Sequence, residues 1–296
     1  MHDFARASRF IWQGARVLEQ RLFQHHFQAP DPDGVRTALA AYATPDGGYG
    51  HALEPDGRGP VSQPLHADFA ISVLDEIGHL DPAAAAPICD HLAAIALPDG
   101  GLPNVLPSLR DYPRAPWWVI EDQPIGALIP AAHIAGLLCR NGIDHPWLSA
   151  AVEFCWTKID AITGTHPYEV INALSFLDHT PDRDRATKAA TRLGEIILAN
   201  HYVLLDPDNP ESANLAPGYA PGEYHYPHDY APAPDSLARQ WFSDTDFARS
   251  LDHLEKSQSE DGGWHVNFAQ WNAVAHQEWN AINTIRTLLM LRRFGR

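Results

Sequence analysis

The 296 residues include 21 Lys and Arg against 37 Asp and Glu, a net charge of −16, and 45% of them are apolar. So acidic a surface repels nucleic acid and anionic membranes, and no basic patch offsets it. Cys89, Cys139 and Cys155 lie far apart among apolar residues, which argues against a disulfide framework and a zinc knuckle, while the apolar share suffices for a large core.

The opening stretch, Met1 to Arg9, lacks the apolar run of a signal peptide, and no later segment has the length and apolarity of a membrane span. The chain therefore reads as soluble and cytoplasmic. Ile11, Ala15, Leu18 and Leu22 recur at helical steps on one face. A helix is expected near 33–43. Leu65, Phe69, Val73 and Ile77 form a second stripe, with Ser62 as N-cap and Pro64 in the first turn. Further helices are placed near 82–96, 123–141, 146–160, 167–178, 184–200 and 246–258. Ala275, Trp279, Ile282, Ile285 and Leu289 make the last stripe, and Arg292-Arg293 suits its C-terminus. No stretch alternates convincingly as a strand. The fold class is all-α.

Asp-Gly-Gly occurs three times, as Pro45-Asp-Gly-Gly-Tyr49, Pro98-Asp-Gly-Gly-Leu102 and within Gln258-Ser-Glu-Asp-Gly-Gly-Trp264. The starts at Asp46, Asp99 and Asp261 are separated by 53 and 162 residues, the second being three times 54. A period near 54 fits two helices with their connections, a unit that buries its apolar face only by stacking on neighbours. A further marker is due near 207, where Asp206-Pro-Asp-Asn-Pro210 stands. Another is due near 153, inside the helical Ala151–Trp156, and the nearest turn there is Thr163–Pro167. The expectation is one domain over 1–296, an α/α toroid of five to six helical hairpins. The long connections 49–62, 101–122, 201–234 and 265–274 then gather at one end, around the mouth of a central cavity. They hold Trp117, Trp118, Tyr219, Tyr224, Tyr226, Tyr230 and Trp271.

Gln258-x-x-Asp-Gly-Gly-Trp264, with Leu254 upstream, resembles the repeat motif of the prenyltransferase and squalene-cyclase group. Pro45–Asp56 with Ser62-Gln63-Pro64, and the ending Glu278-Trp-x-Ala-Ile-x-Thr-Ile-Arg-x-Leu289, look like an uncharacterised bacterial branch of it. The resemblance covers most of the chain and implies the α/α toroid. Such toroids also host polysaccharide lyases, glycosidases and non-catalytic domains, so it bears less on chemistry. The group's Asp-x-Asp-Asp and Asp-Asp-x-x-Asp motifs are missing, and its Asp-Cys-His zinc site does not carry over. Ser243-Asp-Thr-Asp246 reads as a helix cap. The Gly-Gly-aromatic elements read as architecture, glycine supplying the turn and the aromatic a wedge.

Four carboxylates are candidate acids: Glu54, Asp56, Asp122 and Glu278. His51-Ala-Leu-Glu54-Pro-Asp56-Gly-Arg58 is the densest polar string outside the helices. It can set acid and base apart, or it can be a loop held by its own salt bridges. Asp122, which otherwise caps a helix, lies just beyond Trp117-Trp118, suited to sugar stacking, to cation–π contact with a carbocation, or to plugging a gap between hairpins. His276, Glu278 and Trp279 open the last helix. Gln63, His66 and Tyr226, the last in the lid-like segment Tyr224–Tyr230, complete the substrate-binding candidates with His51, Trp117, Trp118, His276 and Trp279. No metal pair at ligand spacing and no cofactor motif appears among the 17 histidines and the rest of the chain. The leading expectation is an isoprenoid-handling enzyme, terpene-cyclase-like or lyase-like, moving a proton from a carboxylic acid in an aromatic cavity. The alternatives are a carbohydrate-active hydrolase or lyase on the same toroid, and a non-catalytic binding domain. The partner is a small molecule in either enzyme, and the sequence leaves the oligomeric state open.

Overall fold

A computed structural model describes residues 2–164 and 166–296. Met1, part of the leader reading, and Thr165, within the turn Thr163–Pro167, lie outside the described residues. The described residues form twelve α-helices. These are α1 Phe4–Gly14, α2 Val17–Phe27, α3 Pro32–Ala40, α4 Pro64–Glu76, α5 Pro82–Ile95 and α6 Leu128–Arg140. They continue as α7 Pro146–Ala161, α8 Pro167–His179, α9 Arg183–Ala199, α10 Pro227–Tyr230, α11 Asp244–Lys256 and α12 Ala273–Arg293. Among these residues extended pairing is limited to three isolated bridges, so the protein is all-α. None of the described helices is long and apolar enough to cross a membrane.

Short polar side chains start these helices by accepting from amides that have no intrahelical partner. Asp3 accepts from Arg6 N at 3.0 Å, Asp81 from Ala84 N at 2.9 Å and Ser243 from Asp246 N at 3.1 Å. Asn272 accepts from both Val274 N and Ala275 N, which sets the start of α12. Three expectations are corrected. The Ile11–Leu22 stripe breaks into α1 and α2 at Ala15, whose backbone is extended. The helix expected from 123 starts at Leu128, since Pro124 and Gly126 disfavour helix and Ala127 N instead donates to Leu102 O at 2.9 Å. Ser62 does not cap α4; Gln63 stands there, and the Ser62 hydroxyl donates to Asp46 at 2.7 Å.

The chain forms two compact units. Unit 1 comprises Met1–Asp31, Gly164–Ile171 and Ala190–Arg296; unit 2 comprises Pro32–Thr163 and Asn172–Ala189. In unit 2, α4 packs on α5 and α6, and α7 packs on the same two helices. In unit 1, α1, α2 and α12 pack together and α11 joins α12 and α10, so the first and last helices of the chain are neighbours.

The three Asp-Gly-Gly markers fold alike. In each, the Asp carboxylate accepts from the amide two residues on: Gly48 at 3.1 Å, Gly101 at 3.1 Å and Gly263 at 3.0 Å. The first glycine has φ +82°, +85° or +99°, a region that costs an L side chain strain. Each turn seats on a helix of its own unit. A Cβ on Gly47 would stand 2.7 Å from Pro87 O of α5, one on Gly100 2.5 Å from Ala150 of α7, and one on Gly262 would collide with Arg6 O of α1. Trp264 then wedges in at 2% exposure, its indole N–H donating to Leu254 O at 2.7 Å.

Candidate functional site

Unit 2 gathers four of the residues singled out in the sequence. Glu54, Asp56, Gln63 and His66 are buried, at 4%, 3%, 0% and 0% exposure. Backbone strain builds the approach to them: His51 and Ala52, neither a glycine, have φ 56° and 60°. Two consecutive left-handed residues are costly and persist only where surrounding contacts impose them, a pattern concentrated at functional sites. Here Glu54 N donates to His66 Nδ1 at 3.0 Å, and Asp56 N donates to the Glu54 carboxylate at 3.1 Å. With Nδ1 accepting, the neutral His66 ring carries its proton on Nε2.

The next long loop is laced to this string. Gln63 donates to Ser108 Oγ at 3.0 Å and accepts from Leu106 N at 2.7 Å. Ala115 N donates to Asp56 O at 2.8 Å, and Arg58 N donates to Pro113 O at 3.0 Å. That segment lines an open depression of about 510 Å³, bordered by Tyr112, Arg114, Trp118, Val119 and Ile120 among others. Tyr112, Trp118 and Ile120 also pack on the buried apolar cluster of Leu65, Val105 and Leu109. A Cβ on Gly57 would stand 3.4 Å from both His66 Cε1 and Leu109 Cδ2, so the imidazole borders that apolar cluster. Among the described residues, Trp118 Nε1 and Asn104 Oδ1 are buried without a hydrogen-bond partner.

The remaining candidates fall elsewhere. His51 is exposed, and Trp117 keeps 38% of its surface. The Asp122 side chain is 87% exposed and pairs with Arg110 at 2.5 Å. Glu278, His276 and Trp279 are half-buried on α12 in unit 1, separate from the unit that holds Glu54. Trp279 meets the Phe268 ring edge-on at 5.8 Å, and burial lowers the pKa of His276. Tyr226 stacks on His228 and His253 at centroid distances of 5.4 and 4.6 Å. Its segment is no loose lid: His225, His228 and Tyr230 are all buried.

Unit 1 also holds a polar cluster that the sequence reading met only as the loop aromatic Tyr219 and the lid-like segment Tyr224–Tyr230. Ala216-Pro-Gly-Tyr219 and Ala220-Pro-Gly-Glu223 are tandem tetrapeptides. Each closes by a fourth-to-first amide bond of 3.1 Å, with Gly218 and Gly222 at φ 87° and 88°. Proline second and left-handed glycine third define type II turns. The paired turns present Tyr219 and Glu223 to His225, Tyr168 and His166. Tyr219 Oη lies 2.6 Å from His225 Nε2, whose Nδ1 is 3.8 Å from Asp229. On the other side of Asp229, His228 Nε2 is 3.7 Å away, and His228 Nδ1 is 2.5 Å from Ser250 Oγ. Burial holds the His225 pKa down to about 4 against the pull of Asp229, and burial also lowers His228 and His166. Burial raises Tyr219 and Glu223, favouring their protonated forms. Ser250 is 1% exposed, so this Ser-His-Asp chain lies inside unit 1.

No protein-family model matches the chain, and no curated protein matches it in sequence. A crystal structure of a protein from Actinoplanes is similar over 99% of this chain and 98% of that one, with TM-score 0.59 and 15% identity. At that identity the likeness concerns the fold alone.

Proposed function

We propose that this chain is an isoprenoid-handling enzyme, cyclase-like or lyase-like, in which Glu54 of unit 2 moves the proton. One observation carries the reading: Tyr112, Trp118, Val119 and Ile120 border an open depression together with Arg114, while their segment is tied to the buried string, Ala115 N donating to Asp56 O and Arg58 N to Pro113 O. Aromatic side chains at a depression are thus linked through the backbone to the string that carries a sequestered acid. In the proposed step the Glu54 O–H breaks, an alkene π pair takes the proton to form a C–H bond, and positive charge develops on the neighbouring carbon. Ring faces such as Tyr112 and Trp118 are suited to that charge. Loss of a proton from an adjacent carbon restores the alkene, and the Glu54 carboxylate left by the first transfer takes that proton up.

A carbohydrate-active reading draws on Trp117, whose partly exposed ring belongs to the same segment and suits sugar stacking. Sugar hydrolysis requires two carboxylates open to water about 5–10 Å apart. Glu54 and Asp56 are both buried, which favours the first reading. The test is turnover of linear terpenoids and prenyl diphosphates, and separately of oligosaccharides, by wild type and Glu54→Gln. Terpenoid product from the wild type and none from a folded Glu54→Gln is the expected result. Activity kept by Glu54→Gln moves the acid elsewhere, and turnover of neither class favours a binding domain.

A further inference from the structure

Buried carboxylates are ordinarily matched by a cation. Glu223, at 6% exposure, is not. Among the described residues neither Glu223 nor Asp229 stands within ion-pair distance of a Lys or Arg, and the ionic neighbours of Asp229 are the two histidines. Burial raises Glu223, as follows for a carboxylate lacking its counter-charge. Its surroundings are aromatic. Tyr168 and Tyr219 lie 5.7 Å apart, His225 meets Tyr168 edge-on at 4.9 Å, and His166 meets Tyr219 at 4.8 Å.

We propose that the Tyr168–Tyr219–Glu223 corner of unit 1 binds a small organic ammonium cation. Donor and acceptor chemistry points that way. Glu223 accepts from Ala220 N at 2.8 Å and from Tyr168 Oη at 3.5 Å, and a carboxylate has about four acceptor positions, leaving room for a donor-rich ligand. Tyrosine faces attract a desolvated cation through the ring quadrupole. Glu169, whose charge acts on His166, and Asp229, whose charge acts on His225 and Tyr219, add negative potential. A net charge of −16 concentrates cations over the whole surface.

The tyrosine edge of the corner meets solvent. Tyr168 and Tyr219 are only half-buried, and nothing lies within 4 Å of a Cβ built on Gly218 or Gly222. A metal ion fits less well, because no three His, Cys, Asp or Glu side chains among the described residues cluster closely enough to hold one. This site lies in the other unit from Glu54, so the proposal is independent of the catalytic reading.

The experiment titrates the full chain with n-butylammonium chloride, following tyrosine ring resonances by NMR, beside n-butanol and KCl at matched ionic strength. Butylammonium is expected to give saturable shifts that neither control gives. Glu223→Gln keeps the side-chain shape and the acceptor for Ala220 N, and should weaken binding about tenfold. A bound cation favours the charged form of Glu223, so binding weakens as pH falls through the carboxylate's raised range. Titrations repeated at successively lower pH read that weakening, and they decide the matter should the Gln variant fail to fold. Equal binding of butanol, saturation by KCl alone, unchanged affinity in Glu223→Gln, or affinity that does not weaken as pH falls would each overturn the proposal.

Discussion

Two kinds of glycine turn in unit 1 do different work with the same residue type. In the turn Ser259–Trp264 the glycines permit contact: a side chain on Gly262 would strike the Arg6 carbonyl, and one on Gly263 would stand 2.7 Å from the Phe10 ring. In the tandem turns of 216–223, Gly218 and Gly222 face open space, and glycine supplies only the left-handed backbone. The first kind of turn docks a loop on a helix and recurs with the repeat. The second aims side chains, and it sets Tyr219 and Glu223 side by side. A recurring motif is therefore the mark of architecture here, and the aimed side chains of 216–223 sit where the chain departs from it.

The largest expected effect tests the docking side of that contrast. Trp264→Ala removes a ring at 2% exposure that holds Leu254 O, and should cost about 3–5 kcal/mol in chemical denaturation. A melting temperature equal to wild type would show that the marker does not wedge unit 1 together. The glycines themselves give the sharper version. Gly262→Ala combines left-handed strain with a steric clash and should cost about 2–5 kcal/mol. Gly222→Ala bears the strain alone, about 1–2 kcal/mol. Equal losses for the two would dissolve the distinction.

Much of the docking architecture was legible from the sequence, and little of the aiming was. Asp-Gly-Gly-aromatic declares its turn locally, because the carboxylate, the left-handed glycine and the wedge are neighbours in the chain. Helical stripes such as Leu65–Ile77 are legible for the same reason. Glu54, Asp56, Gln63 and His66 were found because they crowd into one short string. The unit 1 cluster escaped because Tyr168 is about fifty residues from Tyr219, and only folding joins them. Its one local signal, the doubled Ala-Pro-Gly, specifies turns without saying what they face. The break at Ala15 was hidden because Ile11, Ala15, Leu18 and Leu22 keep helical spacing across it.

The aimed cluster should also give unit 1 a dependence on pH. His225 is held near 4 by burial against an ordinary 6.5, so between those values the unfolded chain binds a proton that the native chain refuses. Its contribution to stability is complete above about pH 6.5, declines as pH falls, and is lost below about 4. His166, His228 and His253 are lowered by burial and act with the same sign. Glu223, raised by burial, acts oppositely: its contribution is present below an ordinary 4.5 and is lost as pH rises through its folded value. Melting temperature should therefore fall from pH 6.5 toward 4, and His225→Gln should flatten that fall. An unchanged slope would show that His225 is not the group being titrated.

The smallest effect belongs to Asp122, and it carries the contrast into unit 2. Asp56 and Asp122 looked alike as sequence, each an acid beside loop aromatics or charges. Asp56 is 3% exposed, and its backbone carbonyl holds Ala115 N. The Asp122 side chain is 87% exposed, and its partner Arg110 is half exposed, so water screens the pair. Exposed ion pairs contribute about 0–1 kcal/mol, and the side-chain entropy of holding both groups offsets part of that. Asp122→Asn should shift stability by no more than about 0.5 kcal/mol and leave any turnover by Glu54 intact. Loss of activity in a fully stable Asp122→Asn would place the chemistry on the exposed rim beside Trp117. It would then be the sugar-stacking reading, with its open carboxylates, that the loop 112–122 was built to serve.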